Sequence, residues 1–122
     1  MSEELVEKFQ FILESIIVIE NRFRKIKSPD GFIESEEGDI LLDAIAMRLQ
    51  AIGENVKSIN KNHPEILDLY PDTDWRNIIR FRDIISHHYE GLDYEIVFNV
   101  CSEKIPELKR IILDILKRQN LT

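Results

Sequence analysis

Apolar residues recur at three- and four-residue steps almost throughout the chain, and strand-like alternation is nearly absent. Leu5, Phe9, Ile12, Ile16, Ile19 and Phe23 trace one stripe, predicting a first helix from about Ser2 to Ile26. Ser2 followed by two glutamates suits a helix start, and Ser28-Pro29-Asp30-Gly31 opposes continuation. Leu42, Ile45, Leu49, Ile52, Val56 and Ile59 form a second seam, predicting a helix from about Glu37 to Asn60 that lies nearly antiparallel to a neighbour. Gly53 interrupts it at some cost in helix propensity, and a glycine there often lets another helix come close. His63-Pro64 closes that segment. Pro64 to Thr73 reads as a connection with one helical turn over Glu65–Asp68.

A third helix is expected from Asp74 to about His88, capped by Asp72 or Thr73 and stopped by Gly91. Asp93 then caps a fourth helical region reaching Leu116, in which Pro106 should kink the helix or split it in two. The pattern predicts an all-α, four- to five-helix up-and-down bundle, with residues 1–122 as one domain.

Composition adds little to the fold and more to the setting. Cys101 is the single cysteine and cannot form an internal disulfide, which suits a reducing compartment. The start is acidic, without the basic region of a signal peptide. The run Ile16-Ile17-Val18-Ile19 ends at Glu20, far short of the ~20 residues a membrane span needs. A soluble, cytoplasmic protein without membrane contact is the expectation.

The formal net charge of −7 argues against nonspecific nucleic-acid binding. Residues 75–89 are a local exception, carrying Arg76, Arg80, Arg82, His87 and His88 against Asp83 alone. That basic island could hold a phosphate or dock onto another protein.

Within it, Arg82, His87 and Tyr89 are the candidate chemistry. Arginine offers a planar donor fork suited to phosphate, histidine exchanges a proton near neutral pH, and tyrosine adds a modifiable hydroxyl. On a straight helix, Arg82 and Tyr89 fall within about 20° of each other and His87 lies about 140° from Arg82. A loosened helix near Gly91 would bring the three together; so would a two-fold dimer pairing two copies. The bland reading is a surface arginine and histidine in a salt-bridge network. His87 and His88 diverge by ~100° on a helix and no third ligand has metal spacing, so neither a metal nor another cofactor is expected. His63 reads as structural and Trp75 as a packing anchor. No glycine-rich phosphate loop, dinucleotide fingerprint or nucleophile elbow is present.

Over almost its whole length the chain resembles the HepT-like toxins of the HEPN superfamily. The features that match, in order, are the long opening helix, the Asp43-Ala44 and Ile52-Gly53-Glu54-Asn55 region, the Trp75-Arg76 pair, and Arg82-Asp83-Ile84-Ile85-Ser86-His87-His88-Tyr89 followed by Asp93. The resemblance implies a HEPN-like bundle that dimerises about a two-fold axis, with the motifs lining a shared cleft. It also implies metal-independent cleavage of an RNA substrate by the toxin of a type VII-like toxin–antitoxin system.

The implied partner is a nucleotidyltransferase antitoxin that silences the toxin by adenylylating the motif tyrosine, in a complex that could be larger than a dimer. Carried onto this sequence, Arg82 and His87 are the catalytic pair, Asp83 and His88 support them, and Tyr89 is the AMP acceptor. Asn55 replaces the usual small residue, and the doubled histidine leaves open which ring does the chemistry. The alternative is a noncatalytic helical module that binds a nucleotidyltransferase partner or a nucleotide, which the acidity would suit. A purely structural bundle is a third reading.

Overall fold

The computed structural model describes residues 1–83 and 93–120. Its helices are α1 (Glu3–Phe23), α2 (Glu36–Asn62), α3 (Pro64–Leu67), α4 (Trp75–Ile79), α5 (Tyr94–Asn99) and α6 (Ile105–Asn120). A 3-10 turn, Pro29–Phe32, precedes α2, and a π-helical turn, Val100–Lys104, joins α5 to α6. No strand occurs among the described residues, and no helix among them is long and apolar enough to cross a membrane. The all-α bundle expected from periodicity is the fold.

Both long helices start where their side chains cap the backbone. Ser2 Oγ accepts from the Leu5 N–H at 3.2 Å, and Ser35 Oγ accepts from the Gly38 N–H at 3.0 Å. Three contacts fix the pairing of α1 with α2. Lys8 Nζ donates to Ser58 Oγ at 2.6 Å, Arg48 donates to Ser15 Oγ at 3.4 Å, and Arg22 donates to the Ala44 carbonyl at 3.2 Å. As the α1 number rises the α2 number falls, so the helices run antiparallel. Lys109 Nζ meets Glu20 Oε1 at 2.8 Å, which ties the start of α6 to the end of α1.

The α2 seam is consumed inside the chain. Leu42, Ile45, Leu49, Ile52, Val56 and Ile59 are all at most 5% exposed and pack with Phe9, Ile12, Ile16, Ile112 and Ile115. Burying each such side chain contributes roughly 1.5–3 kcal/mol. Because that seam faces the protein's own core, it is not a surface for a second copy. The apolar positions that α2 leaves outside are Ile40 and Met47, seven residues apart on one face. Phe23 closes the end of the core against Phe32 (6.3 Å between ring centroids) and Phe98 (5.1 Å).

Several boundaries differ from those periodicity suggests. α1 ends at Phe23, and Ser28-Pro29-Asp30-Gly31 folds into the 3-10 turn that packs on the start of α2. A Cβ on Gly38 would collide with the Gly31 carbonyl oxygen, so only glycine permits that approach. The expected continuous third helix is broken. α4 stops at Ile79, Arg80 makes a turn, and helical backbone resumes at 81–83. The Asp83 N–H bonds to the Arg80 carbonyl at 2.9 Å, a three-residue closure that tightens the chain there. The cap of α4 is Asp74, which accepts from the Asn77 N–H at 3.1 Å, rather than Asp72 or Thr73.

Asp93 caps α5 as expected, accepting from the Glu95 and Ile96 N–H groups at 3.1 and 3.2 Å. Pro106 does split the last helical region, and it does so through the π-turn. The Ile105 N–H reaches back five residues to the Val100 carbonyl, which widens the backbone before the residue that has no N–H to give.

Cys101 lies on that turn, 5% exposed, and burial pushes its thiol up to about 12. The raised value favours the neutral thiol, so thiolate is scarce at pH 8. A thiol-specific reagent at pH 8 should therefore label the folded protein far more slowly than the urea-unfolded chain. Labelling at the unfolded rate in native buffer would mean that the core around the π-turn is open.

Candidate active site

The glycine that interrupts α2 is where the candidate site is built. An ideal Cβ at Gly53 would stand 2.9 Å from the Arg82 amide nitrogen, 3.0 Å from the Ile79 carbonyl oxygen and 3.3 Å from the Ile78 carbonyl oxygen. All three are backbone atoms. The segment from 78 to 82 therefore lies against the bare helix surface at a distance that a side chain would prevent. Ile78 (7% exposed) and Phe81 (5%) anchor the same segment in the core. Together these contacts fix the backbone from which Arg82 projects.

Arg82 is held between two carboxylates. Its Nε lies 3.3 Å from Asp83 Oδ1 and 3.5 Å from Glu54 Oε1, and its side chain is 29% exposed. Glu54 immediately follows Gly53, so one stretch of α2 supplies both the close backbone approach and a charge partner for the arginine. Pairs this open to water contribute little to stability, up to about 1 kcal/mol each. Their effect is to orient the guanidinium. Asn55, the departure from the usual small residue, turns its amide back on its own helix and donates to the Ala51 carbonyl at 2.8 Å.

Of the residues singled out by sequence, Arg82 and Asp83 have described positions and lie within ion-pair distance of each other. His87, His88 and Tyr89 lie outside the described residues. Trp75 is the packing anchor it was expected to be. It is half-buried against the core, and its indole N–H donates to the Leu67 carbonyl at 3.0 Å. His63 caps the junction of α2 and α3, with Nδ1 3.6 Å from Glu65 Oε1. Asp43 is exposed, and Ala44 contributes its carbonyl to Arg22.

Sequence reasoning quoted Glu54 without giving it a role; its position beside the only glycine interior to a strong helical seam was the available signal. It also missed the group at the far end of α6. There Tyr70 Oη donates to Asp114 Oδ2 at 2.5 Å, and Arg118 meets both the carboxylate at 3.1 Å and the tyrosine ring face at 5.5 Å. Burial, with the hydrogen bond to Asp114, pushes the Tyr70 phenol up to about 12. This group pins the 3–4 connection to α6 and carries no evident chemistry.

Residues 12–115 match the protein family described as "Ribonuclease HepT-like". Among relatives, "Putative RNase MJ0127" of Methanocaldococcus jannaschii is 36% identical over 76 residues, which are 59% of this chain and 60% of that protein. "Gamma-glutamylcyclotransferase and putative RNase MJ0434" of the same organism is 35% identical over 106 residues, covering 87% of this chain and 45% of that protein. "Probable ribonuclease HepT" of Thermococcus cleftensis is 32% identical over 98 residues, covering 80% of this chain and 83% of that protein. The chain thus spans 60% and 45% of the lengths of the first two. No solved structure matches it.

Replacing Gly53 by alanine tests the close approach. Alanine is the better helix former by about 1 kcal/mol, so an unobstructed site would be stabilised. The backbone contacts should reverse that sign, because overpacking costs typically 1–3 kcal/mol. The urea midpoint of Gly53→Ala is expected to fall below that of the wild type. A higher midpoint would show that the 78–82 segment does not lie on Gly53.

Proposed function

The chain belongs to the HepT-like ribonuclease family, and from that membership we propose that it is a metal-independent endoribonuclease with Arg82 and His87 as its catalytic pair. The observation that carries this reading is the seating of Arg82. A glycine in α2 admits its backbone, and Glu54 and Asp83 hold its side chain, at the family motif and at the edge of the core. A guanidinium held in one place suits a group that must meet a phosphate.

The chemistry assigned to the pair needs only RNA. The ribose 2′-oxygen attacks the adjacent phosphorus, its proton passes to a base, and the 5′-oxygen leaves with a proton. His87 acts on the 2′-hydroxyl or on the leaving oxygen, and Arg82 stabilises the charge that builds on the phosphoryl oxygens. With the nucleophile supplied by the substrate, neither a metal nor a cofactor is required, and DNA is not cut. Asp83 supports Arg82 directly, and His88 is assigned a lesser, supporting role. The two-fold dimer implied by the family would bring two such clusters to one cleft. The exposed Ile40 and Met47 are apolar positions on α2 that it could cover.

The same reading makes the protein the toxin of a type VII-like pair. Its partner is a nucleotidyltransferase antitoxin that transfers AMP from ATP to the Tyr89 hydroxyl, releasing pyrophosphate. The adduct would place a phosphate near Arg82 and its charge would repel incoming RNA. The acidity of the chain suits a basic partner surface.

One set of variants tests both halves. Arg82→Ala and His87→Ala should each abolish RNA cleavage and growth inhibition with helical content unchanged, and His88→Ala should be much milder. Incubation with the partner and ATP should add the mass of one or more AMP units to the wild type and none to Tyr89→Phe. Full cleavage by both Arg82→Ala and His87→Ala would end the assignment of these two residues as the catalytic pair, and absence of RNA cleavage by the wild type would end the nuclease assignment. A mass gain that persists in Tyr89→Phe would move the modification elsewhere.

A further inference from the structure

A cavity of about 270 Å3 opens between α4, the π-turn and α6. Its floor is apolar and well buried, built by Ile78, Phe81, Val100, Leu108 and Ile111, none more than 9% exposed. Ile96, 40% exposed, also lines it. The charged lining is uneven. Among the described lining residues, Asp72, Asp74 and Glu107 carry carboxylates and Lys104 carries an ammonium. Asp74 spends one oxygen on the α4 cap and keeps its charge.

An apolar basin with a surplus of negative charge at its rim selects for a particular chemistry. Phosphate-bearing ligands, RNA included, are repelled by the carboxylates. An uncharged hydrocarbon would fill the floor and leave the rim unanswered. A ligand with an apolar body and a positive head satisfies both, its body desolvated on the floor and its ammonium facing the carboxylates. The volume is close to the lower end of small-molecule sites, roughly right for one ring and a short chain.

We propose that this cavity is a binding site for a small organic amine with an apolar, aromatic or branched body. The inference goes beyond the nuclease reading and does not depend on it, since Glu54, Arg82 and Asp83 are not among the described residues that line the cavity. It does touch the same backbone. Phe81 lines the cavity and precedes Arg82, so a bound amine would rest against the segment that also meets Gly53.

The test uses the full-length chain with isoleucine methyl groups labelled with carbon-13, titrated with 2-phenylethylamine and with 3-phenylpropionate. These probes share a ring and a two-carbon arm and differ in the sign of the head. Saturable shifts of the Ile78 and Ile111 methyl signals are expected with the amine, with the carboxylate weaker by about ten-fold or more. Ile96→Trp places a larger side chain at an already exposed position and should abolish the shifts with helical content unchanged. Glu107→Gln, on the surface, should weaken the amine several-fold without altering the fold. Equal affinity for the two probes would overturn the proposal. So would the absence of saturable shifts with the amine, or amine binding undiminished in Ile96→Trp.

Discussion

At position 53 the distance between α2 and the following segment is set by backbone alone. A Cβ there would stand 2.9 Å from the amide nitrogen of Arg82, and both nearby carbonyl contacts are also main-chain atoms that have no rotamer with which to yield. Interiors are packed too tightly to absorb such an intrusion locally. The rest of the candidate site follows from this contact. It sets where Arg82 leaves the core, brings Glu54 on the next residue of α2 within reach of the guanidinium, and leaves Ile78 and Phe81 to hold the other side.

The long helices supply the rigidity that makes this placement meaningful. α1 pairs antiparallel with α2 through Lys8–Ser58, Arg48–Ser15 and Arg22–Ala44, and with α6 through Glu20–Lys109. These contacts span the length of α1, so α2 is fixed along most of its course before α4 meets it. The short elements are where the chain departs from regular helix. A turn at Arg80 separates α4 from the arginine, and a π-turn absorbs Pro106. The π-turn thus lines the cavity and the turn at Arg80 adjoins the candidate site, while the regular helices form the support.

How much of this could be read from sequence divides along physical lines. The long stripes were legible because one periodicity holds over many turns: Leu5 to Ile19 and Leu42 to Ile59 are all buried. Asp93 and Ser2 were legible as caps because a cap is a local hydrogen bond. Gly53 was legible as a point of close approach, since a glycine inside a strong helical seam needs a reason. The break at Arg80 was not. The pattern from 75 to 83 is acceptable for a continuous helix, and it is tertiary packing of Ile78 and Phe81 that decides otherwise. What covers the α2 seam was not legible either. Periodicity identifies a face that must be covered, not whether the chain itself or a second copy covers it. Glu54 was visible only as part of a motif, because its partner is 28 residues away and the contact exists only once Gly53 has let the segment in. Of the site residues, Arg82 and Asp83 have described positions, while His87, His88 and Tyr89 lie beyond them.

The proposed reaction cuts RNA by using the substrate's own 2′-hydroxyl, with Arg82 and His87 as the catalytic pair. The most direct measurement compares a single-stranded RNA with the same strand carrying 2′-deoxyribose throughout, in excess EDTA, with Arg82→Ala as the control. The account predicts that the wild type cuts the RNA in the chelator, leaving 2′,3′-cyclic phosphate ends. It also predicts that the deoxy strand stays intact and that Arg82→Ala cuts neither. Loss of RNA cleavage in EDTA, restored by a divalent cation, would contradict it, as would cleavage of the deoxy strand.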